Sequence, residues 1–366
     1  MKSVQRKRLG REDGVALLLA IFMVTLLTAS VFEVHRMIRE DVDAVLISEE
    51  RAQALQNAHT GLDGAIFVLL YDREEDNRNN NRQPLDYWLD PEGLADLLNA
   101  AELWSLFAVG NDAAQAVLGM EGGMFPLEGG AFAFKIEDLE SRFPLNRLFI
   151  KRGIDERNPN YKNFVHFLEE LGVEEAQART VMESLADWID PDSEPRGLGQ
   201  ESDGYTGLQQ AYMGRNQMML LPDEFRAVNG VDDVIYGTIA KFVTVYPNHH
   251  NLFSQYTINV NTAPMEVLRG LDYEIDTAAA ETIVSTRQDG PYRTIGALSQ
   301  VVNGQLNLRQ AWGRIQQNAM AAVSTQTFRV ISSGFAGQSE VVLETILRRE
   351  FDKGRASYKI LWQQVY

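Results

Sequence analysis

The sequence of 366 residues contains no cysteine and little positive charge. The absence of cysteine excludes disulfide bridges, iron–sulfur clusters, thiolate zinc sites and cysteine nucleophiles. Lys and Arg number 34 against 51 Asp and Glu, which gives a formal net charge of -17. So acidic a surface argues against nucleic-acid binding, because phosphate contacts need Lys and Arg, and it fits metal cations or basic partners.

Catalytic fingerprints are also missing from the sequence. No Walker A, G-x-S-x-G, G-x-G-x-x-G or H-E-x-x-H pattern stands out, although one adjacent histidine pair is present, His249 and His250. Paired carboxylates are common in so acidic a chain and do not mark a glycosidase. We therefore expect neither enzymatic activity nor a small-molecule substrate.

The N-terminus joins a basic leader to an apolar stretch. The leader, residues 1–14, ends in Gly14 and carries basic side chains at Lys2, Arg6, Lys7, Arg8 and Arg11. Residues 15–32 contain no charge, and as a helix these 18 residues would be about 27 Å long, nearly the thickness of a bilayer core. The basic flank predicts a cytoplasmic N-terminus and an exported remainder. No A-x-A cleavage pattern of a secretory signal peptide follows the stretch.

The apolar stretch continues into a longer helical pattern. Apolar residues recur at helical spacing at Val34, Ile38, Val42, Val45, Leu55, Ala58, Leu62, Ile66 and Leu69. This spacing predicts one continuous amphipathic helix over about 15–70, apolar all round in its first third and with one apolar stripe in the rest. Residues 72–82 lack apolar side chains and predict an exposed loop that ends the helix, and residues 84–118 predict irregular helix.

The two ends of the chain predict one sheet. Alternating or β-rich patterns predict strands over 131–138, 327–334, 340–349 and 357–362. An antiparallel sheet packed on the long N-terminal helix would bury the apolar faces of both, so we expect an α+β fold.

The chain between these strands, 145–322, predicts a large inserted all-helical domain. It contains three helix-hairpin-helix-like repeats, at 167–185, 225–242 and 267–284. Such units often bind DNA through hairpin glycines and basic residues. These hairpins carry carboxylates where phosphates would bind, so they indicate a packing module and no nucleic-acid partner.

The densest polar cluster lies in the run 187–205. The carboxylates that could converge on one ion, as in calcium-binding loops, are Asp190, Asp192, Glu194, Glu201 and Asp203. The run lacks the glycine that an EF-hand has at its sixth position. Without a cation, this much negative charge in a compact loop would repel itself. The alternative interpretation is an exposed acidic loop without an ion.

The step from glycine into a helix that is half membrane anchor and half core resembles the N-terminus of type IV pilins and pseudopilins. In that family a prepilin peptidase cuts after the leader glycine, which implies a cut between Gly14 and Val15. Leu19 stands at the fifth mature position, where the family normally carries a glutamate that pairs with the neighbouring subunit. A subunit without this pairing suits the tip of a filament. An ordinary signal anchor is the alternative for this stretch.

Further motifs together resemble the K-type minor pseudopilin of the type II, or general, secretion pathway. They are S-R-F-P-L-N-R-L at 141–148, L-A-D-W-I-D-P-D at 185–192, G-Q-E-S-D at 199–203, L-L-P-D-E-F-R-A-V-N-G at 220–230 and I-N-V-N-T-A-P-M-E-V-L at 258–268. The resemblance covers most of the chain after Gly14, and no matching motif occurs in 84–118.

The resemblance implies a division of the chain and a metal. The implied segments are a leader at 1–14, a transmembrane part at 15–32, a pilin-like domain at 33–144 and 323–366, and an inserted domain at 145–322. It also implies two bound calcium ions. The ligands carried over are Asp190, Asp192, Glu201 and Asp203, with Asp187 and Glu194 as reserves. No residues are assigned to the second ion.

The function implied by the resemblance is assembly. A K-type subunit caps and initiates a periplasmic pseudopilus that drives export of folded proteins across the outer membrane, in complex with I- and J-type minor pseudopilins. It would cross the bacterial inner membrane once, with its globular part in the periplasm. Two alternatives stay open. One is a membrane-anchored helix-hairpin-helix DNA-binding protein of a competence or type IV pilus system, and the other is a membrane-anchored periplasmic hydrolase that uses the acidic cluster.

Overall fold

The computed structural model describes residues 11–79, 124–148, 159–207, 211–247, 256–352 and 355–366. The predicted helix at 84–118, the first part of the leader and the pair His249 and His250 lie outside the described residues.

The N-terminal helix, α1, runs without a break over Arg11–Asn79 and contains 69 residues. The single helix predicted here is confirmed, but it ends later than predicted, because residues 72–79, which were expected to form a loop, continue it. This stretch contains Glu and Arg, which are good helix formers, and neither Gly nor Pro. It therefore extends turns that are already formed, which costs much less than starting a new helix.

The two halves of α1 have different surroundings. In the first half, Val15, Leu19 and Leu27 are 55%, 59% and 63% exposed. From residue 54 onward one face is buried, and the buried residues are Ala54, Asn57, Ala58, Gly61, Leu62, Ala65, Ile66 and Leu69. The second half thus packs on protein, and the first half lies free of the described residues.

The second half of α1 packs on a five-stranded sheet with the order β1-β2-β7-β8-β9, in which all neighbours are antiparallel. The strands are β1 (Phe125–Leu127), β2 (Gly130–Asp138), β7 (Thr327–Ala336), β8 (Ser339–Asp352) and β9 (Arg355–Val365). Apolar residues of α1 meet Phe134, Ile136, Phe328, Val330 and Leu343 in one core. The predicted antiparallel sheet on the N-terminal helix is confirmed.

Small residues allow α1 to lie directly on β7. A Cβ on Gly334 would stand 2.0 Å from the carbonyl oxygen of Ala54 and 2.2 Å from the backbone nitrogen of Ala58. The hydroxyl of Ser332 donates a hydrogen bond of 2.7 Å to the carbonyl oxygen of Ala58. Backbone therefore touches backbone at this crossing, and no side chain fits between.

β2 and β7 are neighbours in the sheet, and the chain between them forms a mainly helical inserted segment. Its α-helices are α2 (Pro159–Glu170), α3 (Glu175–Ile189), α4 (Ser202–Thr206), α5 (Asp233–Ile239), α6 (Met265–Arg269), α7 (Thr277–Asp289), α8 (Ile295–Ser299) and α9 (Arg309–Gln317). One continuous apolar core fills the segment and reaches the sheet at Ile346.

The inserted segment also contains strands that its predicted all-helical character did not include. β3 (Phe143–Pro144) pairs in parallel with β4 (Val243–Thr244), and β5 (Ile258–Asn259) pairs in parallel with β6 (Ala321–Ala322). The residues of β3, β4 and β5 are buried. Pairing satisfies backbone groups that would otherwise be buried without partners, which explains these short ladders.

Two buried carboxylates tie the sheet to the inserted segment. Asp138 Oδ2 accepts hydrogen bonds from the Thr325 hydroxyl at 2.6 Å and from the Asn259 amide at 3.1 Å. Glu140 Oε1 accepts from the backbone N–H of Thr327 at 3.0 Å. Burial raises the pKa of Asp138, and burial together with the nearby Asp138 raises the pKa of Glu140 to about 8. The entry and exit of the segment are thus joined by polar contacts.

Candidate metal centre

The acidic run follows the end of α3 and leads into α4. Asp190 directly follows the last residue of α3 and caps that helix end, and Glu201 directly precedes α4. The loop between them folds back, so that residues eleven positions apart in the chain come together. The two helix ends fix both sides of the loop.

Three of the predicted ligands converge. Asp190, Asp192 and Glu201 each supply a carboxylate oxygen, and these oxygens all lie within 4.8 Å of one another. Calcium binds six to eight oxygens at about 2.3–2.6 Å, so oxygens of one coordination shell lie at such separations. Counted from Asp190, the three residues stand at the first, third and twelfth positions, which supply carboxylates in an EF-hand loop.

Glu201 gives the clearest sign of a cation. It is 7% exposed, and neither of its carboxylate oxygens has a hydrogen-bond partner among the described residues. Burial, followed by repulsion from Asp187, Asp190 and Asp192, raises the pKa of Glu201 to about 7. A buried carboxylate without a partner is costly, and a bound cation would remove that cost. The donor set, oxygen atoms only, suits calcium.

Asp187 is already paired with an arginine of the loop. It is fully buried, its Oδ1 accepts from the Arg196 guanidinium at 2.8 Å, and its Oδ2 accepts from the Arg196 backbone N–H at 3.0 Å. Burial raises the pKa of Asp187 to about 6 in spite of this arginine. The guanidinium also forms an ion pair with Asp190.

The remaining two predicted ligands, Glu194 and Asp203, are exposed, and they are not part of the group that converges among the described residues. The backbone N–H of Glu194 donates to Asp192 Oδ1 at 3.0 Å, which orients Asp192. The assignment of Glu194 and Asp203 as ligands stays a prediction.

The scaffold of the site includes residues that the sequence did not single out. The side-chain amide of Asn216 donates to the carbonyl oxygen of Asp192 at 2.9 Å, and its backbone N–H donates to the carbonyl oxygen of Trp188 at 2.9 Å. Trp188 packs edge-on against Tyr205, with ring centres 5.3 Å apart. Asn216 gave no signal in the sequence. Arg196 gave one, because it is the one basic residue in the run 187–205.

Comparison with protein families covers the segment that contains the site. Two family models match this chain, both described as type II secretion system (T2SS), protein K, one over residues 141–248 and the other over 258–316. Asp187, Asp190, Asp192, Arg196 and Glu201 all lie within the first match.

Similar proteins carry the same description. The type II secretion system protein K of Pseudomonas aeruginosa is 31% identical over 226 residues, which cover 62% of this chain and 63% of that protein. The protein K of Aeromonas hydrophila is 34% identical over 157 residues, which cover 41% of this chain and 47% of that protein. The chain thus matches less than two thirds of the length of these relatives.

A solved structure has a similar fold. It is a chain of the crystal structure of the GspK-GspI-GspJ complex from the type 2 secretion system of enterotoxigenic Escherichia coli. The match has a TM-score of 0.59 and 18% sequence identity, and it covers 85% of this chain and 96% of that chain.

Proposed function

We propose that this chain is a protein K of the type II secretion system, a minor pseudopilin that caps and initiates the periplasmic pseudopilus, because two models of that family match it and similar proteins carry the same description. In this role it supports the export of folded proteins across the outer membrane. Its contribution is assembly and not catalytic turnover, as expected for a structural component of a secretion system.

The observation that carries this proposal is the two-part surface of α1. Among the described residues, one helix is long and apolar enough to cross a membrane, and its most apolar window is 0% buried. The hydroxyls of Thr25, Thr28 and Ser30 donate to helix carbonyl oxygens one turn earlier at 2.8, 2.7 and 2.9 Å, so they need no water in hydrocarbon. The same helix then carries the sheet, which suits a subunit stored in a membrane before assembly.

We assign the apolar part of α1 to the bacterial inner membrane, crossed once, with the globular part in the periplasm. A prepilin peptidase would cut between Gly14 and Val15 and leave the apolar helix attached, in contrast to a secretory signal. N-terminal sequencing of the purified protein should begin at Val15. A mature chain that begins after residue 32 would contradict this assignment.

Two features support a position at the tip of the pseudopilus. Leu19 replaces the glutamate by which pilins pair with a neighbouring subunit. The inserted segment adds bulk next to the sheet, which its core contacts at Ile346, and we propose that this bulk obstructs a further subunit. The partners would be I- and J-type minor pseudopilins, such as those in the complex that contains the solved structural neighbour.

Co-purification from detergent tests the assembly role. Ile38, Val42 and Val45 lie at helical spacing on one face of α1 and form an exposed apolar stripe. We expect the full chain to co-purify with I- and J-type minor pseudopilins, and Val42→Lys to weaken this association at least about tenfold through the cost of burying a charge. Ile47→Lys is the matched control, since Ile47 is 61% exposed on the opposite face of the same helix.

Secretion in cells provides the second test. Deletion of the gene should abolish pseudopilus initiation and export, and the Val42→Lys variant should fail to restore them. Normal export without the gene would refute the role. Binding of the chain to duplex DNA at moderate salt would instead favour the competence interpretation.

We further propose that Asp190, Asp192 and Glu201 hold a calcium ion, which would neutralise the carboxylates and fix the loop between α3 and α4. Support comes from the partnerless, buried carboxylate of Glu201 and from the convergence of the three side chains. The second calcium ion that the resemblance implies has no residues assigned to it.

Calorimetric titration with calcium tests this site. Glu201→Gln should lower the calcium affinity of the full chain in detergent at least about tenfold, because it removes a charged ligand. Glu194→Gln should change it by less than about twofold if Glu194 lies outside the shell. A calcium-binding stoichiometry above one would indicate the second ion. Unchanged affinity in Glu201→Gln would contradict the ligand set.

A further inference from the structure

We infer that Arg196 is an internal counter-cation of the carboxylate cluster, which competes with calcium for Asp190 and so lowers the affinity of the site for the ion. This inference rests on the calcium site proposed above. Arg196 is the one basic residue in the run 187–205, so it supplies the only positive side chain of the loop sequence itself.

The guanidinium of Arg196 lies between two carboxylates. Its Nη1 is 2.8 Å from Oδ1 of Asp187, and the same nitrogen forms an ion pair with Oδ2 of Asp190. The side chains of Asp187, Asp190 and Arg196 are 0%, 8% and 20% exposed. Charges so well removed from water attract one another with little screening, so this arginine neutralises part of the cluster when no ion is bound.

Contacts of the surrounding backbone hold Arg196 near α3. The N–H of Arg196 donates to Oδ2 of Asp187 at 3.0 Å, and the N–H of Leu198 donates to Oε2 of Glu183 at 2.5 Å. A Cβ on Gly199 would stand 2.1 Å from Oδ2 of Asp187, which shows how closely the loop covers this carboxylate. None of these contacts involves Asp190, so they persist when Asp190 changes partner.

Asp190 is the carboxylate for which the two cations compete. Calcium bound to Asp190, Asp192 and Glu201 must take this carboxylate from the guanidinium and must accept a positive charge beside it. Both requirements weaken calcium binding. Asp187 keeps the arginine through both its side chain and its backbone, so Arg196 stays in place beside the bound ion. Without calcium, the same arginine limits repulsion among the carboxylates.

Calorimetric titration of the full chain in detergent with calcium chloride tests the inference. We expect Arg196→Met to bind calcium at least about tenfold more tightly than the unchanged chain, because it removes both the competitor and its charge. The control is Arg179→Met, which removes the same charge from α3. Arg179 pairs with Glu175 at 3.0 Å, at the other end of that helix, so its affinity should change by less than about twofold.

Thermal melting in a chelator gives a second readout. Arg196→Met should melt below the unchanged chain, because buried Asp187 loses its partner, and saturating calcium should raise its midpoint by more than it raises that of the unchanged chain. Arg196→Gln removes the charge but keeps an amide that can donate to Asp187. It keeps the titration informative if the methionine variant does not fold.

The outcomes separate the two proposals. Suppose that the unchanged chain binds calcium and that neither Arg196→Met nor Arg196→Gln binds it more tightly than the unchanged chain does. Arg196 is then not a competitor and this inference is wrong, although the calcium site stands. If the unchanged chain and Arg196→Met both fail to bind calcium, the site itself is wrong. Tighter binding in the neutral variants, with no change in Arg179→Met, supports both.

Discussion

The contact between α1 and the sheet and the core of the inserted segment are built in different ways. Where α1 crosses β7, the meeting residues are small, among them Ala54, Ala58 and Gly334. In the inserted segment, carboxylates are buried against arginines, as Asp187 is against Arg196 and Asp272 is against Arg314. The crossing of α1 over β7 is limited by atomic size, whereas the inserted segment adds buried ion pairs to its apolar core.

Because of this difference, different kinds of substitution should destabilise the two regions. A contact of backbone on backbone has no room for a larger side chain, and its free energy does not depend on pH or salt. A buried ion pair tolerates changes of shape better than the loss of one partner, because an unpaired buried charge is costly. Substitutions that add volume should therefore be most costly where α1 crosses β7, and substitutions that remove one charge of a buried ion pair should be costly in the inserted segment.

The largest effect should come from Gly334→Val. Its Cβ would stand 2.0 Å from the carbonyl oxygen of Ala54 and 2.2 Å from the nitrogen of Ala58, and neither backbone atom can rotate away. We expect a loss of more than about 4 kcal/mol in the free energy of unfolding, measured by denaturant titration in detergent.

The matched control is Gly237→Ala in α5. A Cβ at Gly237 meets nothing within 4 Å, and the residue is exposed within the helix. This change should stabilise the protein by up to about 1 kcal/mol, because alanine has the higher helix propensity. A mild effect of Gly334→Val would show that α1 can move off β7, which would remove the size-based half of the comparison.

The next effect in size should come from Arg314→Met in the inserted segment. Arg314 makes two hydrogen bonds to fully buried Asp272, from Nε at 2.8 Å and from Nη2 at 2.7 Å. Removal of the arginine leaves this carboxylate without its ionic partner, and we expect a loss of about 3–5 kcal/mol. The double variant Asp272→Asn with Arg314→Met should lose less than the single variant.

An exposed ion pair is the control for Arg314→Met. Arg226 and Asp233 lie 3.4 Å apart, and their side chains are 61% and 89% exposed. Arg226→Met should therefore cost no more than about 1 kcal/mol. Equal costs for Arg226→Met and Arg314→Met would mean that burial of the Asp272–Arg314 pair does not increase its contribution to stability.

The fold was predictable where a pattern repeats along the chain. Helical spacing at Leu62, Ile66 and Leu69 predicted the buried face of α1, and alternation predicted β2 and β7. The sequence pattern does not predict the extension of α1 to Asn79, because a stretch without apolar residues usually indicates the end of a helix. Helix propagation needs only suitable residues, and it continues without a buried face when the preceding turns are already formed.

The candidate site was predictable in its residue types and less so in its partners. The acidic run indicated Asp190, Asp192 and Glu201 as ligands. The pairing of Asp187 with Arg196 depends on how the loop folds back on α3, which no spacing encodes. The contact of Asn216 with the same loop also depends on how the chain folds, since its partner, Asp192, lies 24 positions earlier in the chain.

The junction between the sheet and the inserted segment should make the free energy of unfolding depend on pH, by a few kcal/mol. Burial and the neighbouring Asp138 raise the pKa of Glu140 from 4.5 to about 8, and the charge of Arg348 partly opposes this. The folded state therefore keeps a proton that the unfolded chain loses above pH 4.5, so stability should fall as the pH rises toward about 8. A pKa difference of one corresponds to about 1.4 kcal/mol.

Glu140→Gln tests this term. In the native protein Glu140 accepts a hydrogen bond of 3.0 Å from the N–H of Thr327. The amide oxygen of the glutamine can still accept this hydrogen bond, but the glutamine side chain does not bind or release a proton. The fall in unfolding free energy between pH 5 and pH 8 should become shallower, and the remainder is due to Asp138, Asp187, Asp190 and Glu201, whose pKa values burial also raises. Glu128→Gln, at an exposed position, is the control for the substitution itself. If Glu140→Gln left the pH dependence of the unfolding free energy unchanged, protonation of Glu140 would not contribute to the stability of the junction.

The smallest effect is expected from an Ala→Leu substitution, which can be made in either half of α1 and compared. Ala58 is 0% exposed under β7, and its carbonyl oxygen accepts from Ser332 at 2.7 Å, so Ala58→Leu adds volume where no space exists. Overpacking of this kind costs about 1–3 kcal/mol, and the loss should be the same at low and high salt. Ala20 is exposed in the apolar half, and Ala20→Leu should leave the unfolding free energy unchanged and favour membrane association slightly. If both changes had the same effect, the two halves of α1 would meet similar surroundings, and the second half would not be held to the sheet by close contact of small residues.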